Sequence, residues 1–499
     1  MEAHRQAVSR IAVMARQLFH RGEPYRVFHG STNCTRPRPS TRANTIDISQ
    51  LCNVLKVDVD SRKVLAEPNV PMDSLVASTL KHGLVPPVVM EFPGITVGGG
   101  FASTGGESSS FKYGFFDKTV SSVEMVLADG EIITASKDTN PDLFFGAPGA
   151  LGTLGLVTMV EIDLIEAKKF VKTTYHSSPT VRETINLIQK EGRNPSNDYV
   201  DGIIFSKNHG VVITGEMTDE APVRAQTFSH ATDPWFYLHV QDRTSLLPRR
   251  VTEFIPLAEY LFRYDRGGFW VGRSAFDYFN FPFNSQTRWF LDDFLHTRML
   301  YEALIASKES SRYVVQDLAL PYSTAEAFID YTADKFGIWP LWLCPILQTS
   351  PPTFHPHVAV ESTQETDAAV SQLLNIGLWG FGPQDQDAFV ALNRDLEQRL
   401  RESFGGMKWL YAHTYYAEDE FWQVYDKKSY DALRAKYKAT TLPSVYDKAK
   451  VNFDALKREQ KEELGPWALS FWPLGGLWGI RKAIKSGKYL PRCPPWRDV

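Results

Sequence analysis

The chain has 499 residues, 43% of them hydrophobic and 22% charged, which is enough for two or three domains around a substantial core. A net charge of −4 and a pI near 6.3 give no general basic field, so no nucleic-acid partner is expected. Cys34, Cys52, Cys344 and Cys493 lie far apart without C-x-x-C or Cys/His ligand spacing, so neither a metal site nor a disulfide framework is expected, and a reducing compartment fits.

Residues 2–21 place Val8, Ile11, Ala15, Leu18 and Phe19 on one helical face, with Arg5, Arg10, Arg16 and Arg21 among the polar positions. An amphipathic helix packed on the following domain is expected, with an Arg-rich mitochondrial transit peptide as the rival. No secretory signal peptide opens the sequence, and no apolar run reaches the roughly 20 residues of a transmembrane helix. The protein should therefore stay on the cytosolic side.

From residue 25 to about 165 the pattern is one of short strands, at 25–28, 45–48, 54–59, 63–68, 122–128 and 156–165, with helices at 72–81 and 142–145. Asp60-Ser61 and Asp129-Gly130 supply hairpin turns between beta-rich flanks. An α+β domain follows from this alternation.

Two glycine-spaced segments lie inside that domain: Thr96-Val-Gly-Gly-Gly-Phe-Ala-Ser-Thr-Gly-Gly-Glu-Ser-Ser-Ser110 and Gly146-Ala-Pro-Gly149-Ala-Leu-Gly152-Thr-Leu-Gly155. Glycine lets backbone N–H groups approach a polyanion, and the hydroxyls between add donors, so a dinucleotide diphosphate is the natural guest. The G-x-G-x-x-G pattern fails, because the third glycine counted from Gly98 and Gly100 falls on Ser103. A flavin on a scaffold other than the Rossmann fold fits better, beside the alternative that these glycines mark only turns.

After Glu166 the sequence becomes strongly aromatic, and a second domain is expected. Residues 363–402 should hold a polar surface stretch and then a helix near 387–402. Trp409, Tyr411, His413 and Tyr415 alternate along an expected buried strand at 409–416, which would put them on one face, and a helix is expected at 419–437.

Ile95-Thr-Val-Gly-Gly-Gly100, Glu107-Ser-Ser-Ser-Phe-Lys-Tyr-Gly114, Val126-Leu-Ala-Asp-Gly130 and the run from Asp142 to Gly155 resemble the FAD-binding half of vanillyl-alcohol-oxidase-type flavoproteins. Matching runs continue in Thr214–Ala221, Pro234–Phe236, Val314–Asp317, Pro340–Pro345, Leu410–Ala412 and Glu420–Trp422. With these the sequence resembles, more narrowly, the delta-24-sterol reductase family. The resemblance implies an α+β fold: a PCMH-type FAD-binding domain with its N-terminal helix at 1–165, an α+β substrate or cap domain at 166–405, a segment at 406–450 returning toward the flavin, and a tail at 451–499.

It also implies FAD, NADPH as reductant, and hydride delivery to the side-chain alkene of a sterol or triterpenoid. An unpolarised alkene needs a positioned acid as well. Thr96, Gly98, Gly99, Gly100, Ser103, Thr104, Gly105, Gly106, Glu107 and Ser108 match the family's FAD loop. Gly149, Gly152 and Gly155 match its second flavin-contacting stretch, with close backbone packing as the alternative. In the His29–Asn33 loop the position that binds FAD covalently in some relatives falls near Asn33, so non-covalent FAD is expected, with His29 as the lesser candidate linker.

Tyr411, Tyr415, His413 and Asp317 are the candidate acids; His413 stands where the family would carry an acidic residue. Trp235, Phe236, Phe269, Trp270, Trp339 and Trp342 are candidates for the wall of an apolar, sterol-sized pocket, or for ordinary core. Trp467, Trp472 and Trp478, followed by a basic run ending at Lys488, suit a lipid interface, as does packing over the protein's own surface. Peripheral placement at the cytosolic face of the endoplasmic reticulum or another intracellular membrane follows from the first of these. An FAD-linked oxidase or isomerase, and a lipid-binding protein that keeps flavin as a structural element, stand as alternatives.

Overall fold

The computed structural model describes residues 1–30, 44–245, 250–307, 312–359, 372–451, 473–485 and 495–496. Asn33, Cys34, Trp467, Trp472, Lys488 and Cys493 lie outside the described residues.

The first helix, Glu2–His20, buries Ala7, Val8, Ile11, Ala12, Ala15 and Leu18. His4 fixes it to the following domain through Glu67 Oε1 at 2.8 Å and Glu124 Oε1 at 3.1 Å. The apolar face thus packs on the domain.

That domain is built on a five-stranded antiparallel sheet in the order Val54–Asp58, Lys63–Ala66, Leu156–Asp163, Val120–Val126, Ile132–Ser136. Both expected hairpins form. Leu156–Asp163 buries alternate residues, so the sheet packs one face on the core and turns the other outward. The first glycine segment contains a short helix, Val97–Ala102, whose start is fixed by Gly99 N donating to Thr96 Oγ1 at 3.1 Å.

The second sheet has eight antiparallel strands in the order Arg250–Pro256, Phe170–Ser178, His209–Thr218, Tyr199–Ser206, Leu341–Leu347, Gln372–Phe381, Tyr313–Leu320, Met407–Lys408. Val181, Ile185, Phe328 and Leu396 from three helices cover one face of its centre. The glycine loop comes down on the other: a Cβ on Gly106 would lie 2.9 Å from Ile346 Cδ1. Central strands are consequently buried on both faces, with all but the last residue of Leu341–Leu347 buried.

Three expectations are corrected. Residues 409–416 are not a strand: Met407–Lys408 pairs with Leu318 and Ala319 before the backbone turns away, and within the stretch Thr414 makes an isolated bridge to Lys450. The cause is a buried ion pair, since Lys408 Nζ bonds Glu397 Oε1 at 2.6 Å and also the His413 carbonyl, while Tyr415 N returns to the same carboxylate. Residues 419–437 form two helices, Glu418–Val424 and Lys427–Lys436, because Asp426 caps the second by accepting from Ser429 N at 2.9 Å. Gln372–Phe381, inside the stretch expected to be polar and then helical, is a buried central strand.

In the tail, the helix Leu474–Lys485 lies against Thr297–Ala306, where a Cβ on Gly479 would come 2.6 Å from the Ala303 carbonyl. Its other face leaves Leu477, Trp478 and Ile484 exposed, with Arg481 and Lys482 over the Trp478 ring. Among the described residues no helix is long and apolar enough to cross a membrane.

Candidate active site

A cavity of about 850 Å³ runs between the two sheets. It is lined by Thr96, Gly98, Gly99, Gly100, Ser103, Gly105, Gly106, Gly152 and Gly155, and by an aromatic cluster of Phe92, Phe269, Tyr301, Trp342 and Trp379.

The glycines do two different jobs. Gly98 is required by packing, since a Cβ there would meet Pro68 Cβ at 2.7 Å; Gly105 is tight against Met90 Sδ at 3.0 Å. Gly99 and Gly152 instead face space: beyond Thr96 Oγ1 at 3.1 Å nothing crowds Gly99, and a Cβ on Gly152 would find only the Gly155 carbonyl at 3.8 Å and Lys448 Nζ at 3.9 Å. Lys448 is held there by donating to the Leu151 carbonyl at 2.9 Å. A side-chain-free surface beside an ammonium group fits the diphosphate of a dinucleotide.

Thr104, Glu107, Ser108 and Gly149 do not line the cavity. Glu107 folds back on its own loop, accepting from Ser108 Oγ at 2.6 Å, Ser109 N at 2.9 Å and Ser109 Oγ. The Thr104 carbonyl accepts from Trp409 Nε1 at 3.0 Å and ties the returning segment to the loop. Gly149 is packed against Phe354, which would sit 2.7 Å from an added Cβ, as the close-packing alternative supposed. His29 lines the cavity.

Of the candidate acids, Asp317, Tyr411 and His413 reach the cavity. Tyr415 does not; it packs against Phe389 in the core around the helices. Asp317 Oδ1 accepts from Asn375 Nδ2 at 3.1 Å, and Oδ2 accepts from Trp379 Nε1 at 3.3 Å and from the Tyr411 hydroxyl. Asn375 is itself oriented by the Leu318 N–H, 3.1 Å from its Oδ1. Burial outweighs these bonds and pushes the Asp317 carboxyl up to about 7. A group balanced near neutrality can hold or release a proton during turnover.

The aromatic wall is rigidly supported. Trp342 Nε1 donates to buried Asp201 at 3.1 Å, which Arg263 and Tyr264 also hold, at 2.9 and 2.8 Å. Phe269 meets Trp342 at 5.4 Å and Trp379 at 4.6 Å between ring centres. Of the aromatic residues expected to form a pocket wall only Phe269 and Trp342 do so; Trp235, Phe236 and Trp270 are core, and Trp339 packs on the helix-covered face of the second sheet.

Sequence reasoning missed Glu91, Lys448, Tyr301 and Trp379. For Glu91 a signal existed: a lone carboxyl in the apolar run Val88-Val-Met-Glu-Phe92, just ahead of the glycine segment.

A family model described as an FAD binding domain matches residues 3–136. The protein is 32% identical over 403 residues to the Delta(24)-sterol reductase of Homo sapiens, covering 80% of its own length and 76% of the relative. It is 29% identical over 433 residues to a Delta(24)-sterol reductase homolog of Caenorhabditis elegans, covering 83% and 80%. To the Delta(24)-sterol reductase of Arabidopsis thaliana it is 28% identical over 434 residues, covering 81% and 76%.

Proposed function

The chain belongs to the Delta(24)-sterol reductase family, and from that premise we propose that it is an FAD-dependent reductase of a carbon–carbon double bond in the side chain of a sterol or closely related triterpenoid. The observation that carries this is the cavity itself, lined both by a glycine segment suited to a dinucleotide and by an aromatic cluster beside which a buried carboxyl meets a phenol. An apolar, flat substrate matches walls of Phe92, Phe269, Tyr301, Trp342 and Trp379.

In this proposal FAD is held without a covalent bond, its diphosphate beside Thr96, Gly99, Gly152 and Lys448. Bound FAD supplies a hydride, drawn from NADPH. The protein's own part is to exclude water with the aromatic wall, to orient the alkene, and to hold a proton on the Asp317 carboxyl beside the Tyr411 hydroxyl. General acid help of this kind is worth about 10²–10⁴ in rate.

The five-stranded and eight-stranded halves act as cofactor and substrate domains, with 406–450 closing over both. The exposed face of the tail helix is the element we assign to a membrane surface at the cytosolic side. Incubation with NADPH and a side-chain-unsaturated sterol tests the whole proposal: a product heavier by two hydrogens is expected, and recovery of unchanged sterol from flavin-loaded protein overturns it.

A further inference from the structure

Glu91 stands in the cavity wall, in sequence between a residue packed under the glycine loop and one of the aromatic cluster. Its neighbour Met90 underlies the glycine loop, where a Cβ on Gly105 would come 3.0 Å from Met90 Sδ. Its other neighbour, Phe92, belongs to the aromatic wall, 5.5 Å from Phe269 and 5.7 Å from Tyr301 between ring centres. Glu91 lines the same cavity as Asp317 but comes from the opposite half of the molecule.

The side chain is only 7% exposed, and Oε1 has no hydrogen-bond partner. An ionised carboxylate without partners is costly to bury, whereas a protonated one needs only an acceptor for its O–H. The balance favours the protonated form: burial and the nearby Glu107 carboxyl drive Glu91 well above the ordinary carboxylate range, its own backbone N–H and Arg263 oppose this, and Asp201 adds to it. Asp317 and Tyr411 already have each other, Asn375 and Trp379. Glu91 is a cavity-lining carboxyl with one oxygen, Oε1, buried without a partner.

We propose that Glu91 is a second proton donor of the site, supplied to the cavity by the FAD-binding half. The proposal rests on the reductase reading above. In the step it serves, Glu91 gives its proton to one alkene carbon while the other takes the hydride that bound reduced FAD would supply. The π bond breaks, two C–H bonds form, and Glu91 is left as a carboxylate that takes a proton from solvent before the next turnover. Because Asp317 and Tyr411 serve the same cavity, loss of one donor leaves part of the rate.

Holoprotein with Glu91→Gln and with Glu91→Leu tests this in two arms. In the first, which uses no sterol, the visible flavin spectrum of Glu91→Leu should shift and that of Glu91→Gln should stay near wild type, because the amide keeps a neutral donor in the cavity; an unshifted Glu91→Leu spectrum at full FAD content overturns the placement. In the second, flavin reduced anaerobically with dithionite is mixed with a side-chain-unsaturated sterol. Reoxidation of Glu91→Gln should be slowed by about 10²-fold, and that of the double variant with Tyr411→Phe further still. Reoxidation of Glu91→Gln within about twofold of wild type, or slowing explained by lost FAD or lost binding of the saturated sterol, overturns the donor role. Failure of the wild-type protein to reoxidise with the sterol would instead count against the reductase reading, and the first arm would still decide where Glu91 stands.

Discussion

Tyr411 donates its phenolic hydrogen to Asp317 Oδ2, joining a turn after the sheet's edge strand to the strand Tyr313–Leu320 across the cavity wall. The pair forms because Lys408 and Glu397 pull the backbone off the ladder just before it, swinging Tyr411 over the strand instead of along it. The position of Tyr411 at this wall thus depends on a buried ion pair several residues away.

Tyr411→Phe should keep FAD bound and slow alkene reduction by about 10²-fold. Flavin absorbance per protein and single-turnover rates check this; unchanged turnover would remove Tyr411 from the mechanism.

Asp317 fixes the sign of a pH effect. Its folded-state carboxyl titrates near 7, above the ordinary carboxylate value of 3.8, so between those values the folded protein holds a proton that the unfolded polypeptide has released. Stability from this group is complete below the lower value and is lost as pH rises through the upper one. Asp317→Asn, which cannot ionise, should therefore gain in melting temperature relative to wild type between about pH 5 and about pH 8. The wild-type rate should also fall above about pH 7 as the proton is lost, and this limb should be absent from the residual activity of Asp317→Asn.

The two classes of glycine should separate in mutation. Gly98→Ala, pressed against Pro68, should cost about 1–3 kcal/mol of stability even in flavin-free protein. Gly99→Leu, whose Cβ meets only Thr96 Oγ1 at 3.1 Å and Ile95 Cγ2 at 4.0 Å, should lower the flavin-free melting temperature less than Gly98→Ala while FAD content falls steeply. Equal losses of stability in both would contradict the division.

Leu477→Glu with Trp478→Glu should weaken co-sedimentation of the full-length protein with vesicles containing anionic lipid, because these residues form the exposed face beside Arg481 and Lys482. Vesicle binding equal to wild type would return this helix to a purely packing role.

Much of the first domain was legible because its physics is local. The Asp129-Gly130 turn and the one-sided burial of Leu156–Asp163 leave a period-two pattern, and Val8, Ile11, Ala15 and Leu18 mark a helix face. The second sheet was harder to read, because Leu341–Leu347 and Gln372–Phe381 are buried on both faces and show no alternation. Residues 409–416 misled in the opposite way: their aromatic alternation imitates a strand, while Lys408 and Glu397, partners only in the folded protein, bend them into a turn. The helix Val97–Ala102 was hidden by its three glycines, and it forms through the Thr96 cap and packing on Pro68. Asp317 and Tyr411 were visible as types, but their contact spans the fold.

The reductase assignment is tested most directly by anaerobic stopped-flow spectroscopy of the FAD-loaded protein. NADPH should bleach the flavin band, and a side-chain-unsaturated sterol added to the reduced protein should restore it with formation of the saturated product. Bleaching by an organic substrate but not by NADPH, with reoxidation by dioxygen rather than by the sterol, would contradict the account and identify an oxidase.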